Sequence, residues 1–143
     1  MTETTTIVVG VDGSEVSVGA LRWALRHAKA HGAEVRAVLA WDAPTTFYMS
    51  PVRTEGDYEQ LAEEALDSAV AEVAADAEGV TVHRELALGR PGPTLCHRAE
   101  NADLLVVGAH GWGGGEGFHL GSASNYCVHH APCPVLVHRP RRG

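Results

Sequence analysis

The sequence predicts an α/β fold, a parallel sheet of five strands with helices on both faces, and three observations predict it. Strand-like and helix-like patterns alternate from end to end, the arrangement in which crossover helices join parallel strands. The candidate at 6–11 is a short continuous apolar run, as expected of a strand covered on both faces rather than one. No linker, repeat or low-complexity stretch divides the 143 residues, so residues 1–143 read as one domain able to bury about 68–70% of its unfolded surface.

The first strand, 6–11, ends at Asp12-Gly13-Ser14, and Ser14 or Ser17 can cap the helix that follows. That helix, 15–31, carries Leu21, Ala24, Leu25 and Ala28 on one stripe and stops at Gly32. A second strand at 34–41 leads into a loop over 42–54 that is long for a strand-to-helix connection. The longest helix is expected over 55–77, with Tyr58, Leu61, Ala62, Ala65, Leu66, Ala69 and Val73 on its apolar face and Gly79 as its stop. Residues 80–88 alternate as a half-covered strand, 89–93 form a turn, and 94–101 form a short helix. The fourth strand is expected at 103–107, a short helix at 122–130, and, after Pro132 and Pro134, a fifth strand at 135–138.

Composition removes several function classes. A net charge of -7 and a single lysine, Lys29, oppose a nucleic-acid surface, which needs clustered cations to replace phosphate counterions. Arg139, Arg141 and Arg142 read as a solvated tail. Cys96, Cys127 and Cys133 are odd in number and contain no C-x-x-C pair, which indicates idle thiols in a reducing compartment rather than disulfides or a zinc knuckle. The N-terminus lacks a basic leader, and the apolar run 102–109 falls far short of the ~20 residues that span a bilayer. The expectation is a cytoplasmic protein with no membrane or nucleic-acid partner. Among the nine histidines, His27 and His31 share a helical face and His129 and His130 are adjacent, but without a third ligand they read as surface residues.

One stretch looks built to bind. Seven of the sixteen glycines lie from Gly108 to Gly121, between a strand and a helix, and Gly108, Gly111, Gly121 and Ser122 stand in the spacing G-x-x-G-x9-G-S. Neither G-x-x-x-x-G-K-[ST] nor G-x-G-x-x-G fits. Backbone without Cβ atoms followed by a serine at a helix N-terminus suits phosphate. Doubly wound sheets take ligands outside the carboxyl ends of their strands, at the point where strand order reverses. If strand one is central, Asp12 and Gly108 face each other there.

As a whole the chain resembles the universal stress protein family. The carriers are Val9-Gly-Val-Asp-Gly-Ser14, Ala20-Leu-Arg-Trp-Ala24, the stretch from Ala102 to Gly111, Gly121-Ser-Ala-Ser124, and His129-His-Ala-Pro-Cys-Pro-Val-Leu-Val137. The resemblance implies a Rossmann-like sheet of the adenine nucleotide binding type in order 3-2-1-4-5, and ATP as ligand. It implies that Gly108, Gly111, Gly121 and Ser122 hold ribose and phosphates, with Ala123 and Ser124 extending the cradle. Asp12 would face the ribose or a metal ion, and Gly10 and the Ala40 backbone would contact adenine.

Two positions depart from the family pattern: Trp112 stands where members often carry Arg or Lys, and Ala109 where they often carry Ser. A helix N-terminus offers roughly 0.3–1 kcal/mol per anionic group, so Mg²⁺ or Mn²⁺, or His110, His119 and Arg90, would have to share the charge of a triphosphate. The implied role is an ATP-binding stress-response regulator read by a protein partner, with at most slow hydrolysis or self-phosphorylation. His110 is the nearest thing to a base. The fifth strand, 135–138, is an apolar sheet edge that invites a homodimer, as family members form through it. The alternatives are a dimeric scaffold or chaperone-like protein that binds no nucleotide, and a flavodoxin-like protein. The latter would need its phosphate loop after strand one, where Asp12-Gly13-Ser14 is too short and acidic.

Overall fold

The protein is described by a computed structural model covering residues 4–42, 54–111 and 120–140. Its elements in chain order are β1 (Thr6–Gly10), α1 (Glu15–His31), β2 (Glu34–Trp41), α2 (Glu55–Glu72), β3 (Val82–Leu88), α3 (Pro91–Arg98), β4 (Leu104–Gly108), α4 (Ser122–His130) and β5 (Val135–His138). All strand pairings are parallel, and the order is β3-β2-β1-β4-β5. This is the expected sheet.

The apolar runs work as two-faced strands. Ile7 and Val9 of β1, Val35, Ala37 and Leu39 of β2 and Val106 of β4 face α1 and α2, where they pack with Leu21, Ala24, Leu25, Leu66 and Ala69. Val8, Val38, Leu105 and Val107 point to the other face, against Leu95, Cys96 and Ala99 of the α3 region and Cys127 of α4. The period-two alternation of side chains lets one short strand feed both layers.

Local chemistry fixes most boundaries. Ser14 caps α1 by accepting from the Ser17 N–H at 3.3 Å, and Gly32 ends it at φ 69°. Thr54 and Asp57 form a capping box on α2. Three boundaries differ from expectation. α2 stops at Glu72 and continues in short-range turns over 73–79, because Asp76 is drawn to Arg22 and Arg26 on α1 at 3.3 and 3.1 Å. Val80 belongs to that turn through its N–H to Ala77 O, so β3 begins at Val82. α3 starts at Pro91 rather than at residue 94, since a proline in a first helical turn gives up an N–H that has no helical partner. Asn101 at φ 71° follows its end.

β5 lies at the sheet edge, as expected. No helix of the described residues is long and apolar enough to cross a membrane. Trp112, His119, Arg141, Arg142 and most of the loop expected at 42–54 lie outside the described residues.

Candidate functional site

β1 is central, with β2 on one side and β4 on the other, so the crevice between β1 and β4 is where strand order reverses. A cavity of about 390 Å³ opens there. Its wall is formed by Gly10, Ala40 and Gly108 from strand ends, Asp12 beyond β1, His110 and Gly111 beyond β4, and residues 121–124 at the start of α4. Ten of the residues singled out by sequence thus line a single cavity.

Each glycine of the spacing solves a packing problem. A Cβ on Gly108 would come 2.8 Å from Val16 Cγ1 on α1, and one on Gly121 would come 3.0 Å from His110 Cα. A Cβ on Gly111 would collide with Oδ2 of Asp12. The glycines let backbone from three elements converge on the crevice, closer than any side chain permits. Gly10 belongs to the same set, since its Cβ would lie 2.6 Å from Leu95 Cδ1.

Asp12 is oriented by its own turn. Its Oδ1 accepts the Ser14 N–H at 2.8 Å, and its backbone N–H reaches Ser17 Oγ at 3.2 Å. The two ends of the glycine segment are tied together: Gly121 N–H donates to Ala109 O at 2.7 Å, and Ser124 Oγ donates to the same carbonyl at 2.8 Å. Ala109 N–H in turn donates to His138 O on β5 at 2.8 Å. Ser124 is buried at 2% exposure, and its proton is committed to backbone carbonyls, whereas Ser122 is exposed.

α4 begins at Gly121 without a side-chain cap, and its first intrahelical bond is Asn125 N–H to Gly121 O at 2.9 Å. The N–H groups of residues 122–124 therefore make up the positive end of the helix beside the cavity. His110 lines the cavity with Nδ1 3.4 Å from Gly111 O. Arg90, expected to share the phosphate charge, is the N-cap residue of α3 directly before the lining Pro91, is exposed, and is not among the residues lining the cavity.

Sequence reasoning missed the apolar side: Val38, Pro91, Leu95 and Val107, with Val11 and Ser17. Pro91 and Leu95 are four apart on α3, and Val38 and Ala40 two apart on β2, so each pair shares a face. The signal was present but hidden by the late start assigned to α3. α3 is held in turn by α4: a Cβ on Gly92 would lie 2.8 Å from Tyr126 Cβ.

The sequence profile of the universal stress protein family matches residues 3–139. The chain belongs to that family. A universal stress protein of Mycobacterium tuberculosis is 35% identical over 138 residues, 93% of this chain and 43% of the relative. The chain thus spans less than half the length of that relative. Among solved structures, the universal stress protein UspA of Lactobacillus plantarum superposes with a TM-score of 0.79 at 30% identity, covering 97% of this chain and all of that one. A universal stress protein solved in complex with cAMP superposes at 0.70 with 26% identity, covering 96% of this chain and 98% of its own.

Proposed function

We propose that this chain binds an adenine nucleotide in the cavity between β1 and β4, taking ATP together with Mg²⁺ or Mn²⁺, and serves as a nucleotide-dependent regulatory protein in a stress response. The observation that carries this reading is the junction, in one cavity, of an apolar slot with a helix N-terminus. Val38, Ala40, Pro91 and Leu95 suit a flat heteroaromatic ring, and the N–H groups of 122–124 suit a phosphoryl group. The family member holding cAMP supports an adenosine ligand.

In this reading Gly10 and the Ala40 backbone lie against adenine. Gly108, Gly111, Gly121 and Ser122 hold ribose and phosphates, and Ala123 and Ser124 add backbone N–H groups. Ser124 also locks the loop ends through its hydroxyl. Asp12 suits a hard cation. No group of three His, Cys, Asp or Glu among the described residues could hold a metal alone, and Mg²⁺ is ordinarily held by one or two carboxylates plus substrate phosphates. Such a cation supplies neutralisation of phosphate charge. His110 and Asp12 are the only titratable side chains among the described lining residues, which favours binding over turnover.

Calorimetric titration with ATP in Mg²⁺ buffer should give saturable binding, and mass spectrometry should find adenine nucleotide in the purified protein. Failure of every adenine nucleotide to bind overturns the reading and leaves the scaffold. The edge strand β5 is the proposed pairing surface of a homodimer; a sedimentation coefficient that does not vary with concentration and matches a monomer would refute that.

A further inference from the structure

We infer that His27 and His31 on α1 form a binding site for a divalent ion of the late transition series, Cu²⁺ ahead of Ni²⁺ and Zn²⁺, separate from the cavity between β1 and β4. The two side chains lie four residues apart on one helix, the spacing that sets one side chain a turn above the other. Their ring centroids are 4.3 Å apart, with 37° between the planes.

What their nitrogens do sets these two apart from the other histidines. His83 and His97 face the carboxylates of Glu34 and Glu100 at 3.5 and 3.4 Å, and His110 Nδ1 lies 3.4 Å from Gly111 O. His138 packs against Gly19 on α1. His129 and His130, adjacent in sequence, hold their rings 6.4 Å apart at 59°, directed away from a shared ligand. Among the described residues, His27 and His31 make ring contacts and no hydrogen bond or ion pair, so their nitrogens are open to an ion.

The helix builds the first of the two ligands in place. Trp23, one turn before His27, packs on the core and stacks on the His27 ring, with centroids 4.8 Å apart and planes 11° from parallel. That contact removes rotamer freedom which an ion would otherwise have to freeze. His31, in the last turn, is exposed and can swing toward it. Two imidazole nitrogens held side by side at about 2.0–2.1 Å from one ion stand roughly 3 Å apart, within reach of neighbouring rings on one helix face. The pair lies at the C-terminal end of α1, whose negative pole favours a cation. Lys29 is two residues from each ring, a separation at which helical side chains do not face each other, and Arg26 is engaged by Asp76 at 3.1 Å. Imidazole selects Cu²⁺, Ni²⁺ and Zn²⁺ over Mg²⁺ and Ca²⁺, which take oxygen, and among such ions affinity peaks at Cu²⁺. No group of three His, Cys, Asp or Glu among the described residues could hold a metal, so water completes the coordination and the site is open rather than structural.

The test is titration of the untagged full chain with copper(II) chloride in a non-chelating buffer, followed by tryptophan fluorescence. Wild type is compared with His31→Gln, Trp23→Phe and, as a control, His129→Gln, each verified to fold by a circular dichroism melt. Cu²⁺ on His27 should quench the indole stacked against it, saturating near about one equivalent, and Mg²⁺ should not quench. His31→Gln, at an exposed position, should raise the copper concentration for half-quenching at least about tenfold, through loss of two-point attachment. Trp23→Phe should abolish the saturable quench while calorimetry still finds the bound ion, and His129→Gln should leave the curve unchanged. Absence of a saturable quench in the wild type, a smaller shift in His31→Gln, or a saturable quench that survives Trp23→Phe overturns the site.

Discussion

Alanine at Ser124 should lower stability and alanine at Ser122 should lower affinity, although the two serines lie two residues apart in one motif. Ser124 Oγ is buried and donates to Ala109 O at 2.8 Å, with Gly121 O at 3.1 Å as the alternative acceptor. Ala109 O keeps the Gly121 N–H when the hydroxyl is removed, so no orphaned buried carbonyl results, and the loss is that of an ordinary hydrogen bond, about 0.5–1.5 kcal/mol. Alanine's better helix propensity returns a few tenths of a kcal/mol. The net of about 1 kcal/mol corresponds to a melting temperature lower by roughly 3 °C for a domain of this size. Nucleotide affinity should stay within about threefold, because the remaining contact is a backbone N–H. Ser122 is exposed, and Ser122→Ala should leave the melting temperature within about 1 °C. It should weaken Mg²⁺-ATP by about 10- to 100-fold through loss of a charge-assisted hydrogen bond. Thermal melts followed by circular dichroism, with calorimetric titrations of the same preparations, read both quantities. A Ser124→Ala protein with unchanged melting temperature and much weaker binding would refute the assignment of its hydroxyl to the loop neck.

Two further predictions concern ionisable groups away from the cavity. The Arg36 guanidinium, with Arg98, holds the Glu85 carboxylate below its ordinary value of 4.5, so the stability Glu85 contributes is present above about that pH and is lost as pH falls through the lowered value. Urea unfolding of Glu85→Gln should show a deficit of about 1–3 kcal/mol at neutral pH that narrows below pH 4.5; a pH-independent deficit would contradict the pairing. Burial, and next to it Cys96, push the Cys127 thiol up to about 12, so iodoacetamide at pH 8 should label half-buried Cys133 first and Cys127 slowest. Peptide mapping showing Cys127 labelled at the rate of a free thiol would refute this.

Where the sequence proved legible, the governing chemistry was local. Asp12-Gly13-Ser14 ends β1 and caps α1, Gly32 closes α1, and Pro132 and Pro134 deliver β5, each within a few residues of the boundary it sets. The end of α2 was not legible, because Asp76 answers to arginines 50 and 54 residues away. The start of α3 was misplaced because Pro91 and Pro93 signal a turn and a helix N-terminus equally well. At the site, the glycine spacing located the wall built by residues 108–111 and 121–124, while the apolar side, built by Val38 and Leu95 from separate elements, has no contiguous signature. The reason for Gly111 was also invisible: its collision partner is Asp12, on another strand's end.

The shared carbonyl of Ala109 bears on how this protein can change over evolution. Gly121 N–H and Ser124 Oγ pin the segment's two ends at one point, so the chain between them can lengthen at an entropic cost that grows only as ~(3/2)RT ln n. Doubling its length costs roughly 0.6 kcal/mol, less than a single core substitution. Insertions between Gly111 and Gly121 are therefore cheap for the sheet beneath them, whereas Gly111 itself is held to glycine by the Asp12 carboxylate that a Cβ would strike.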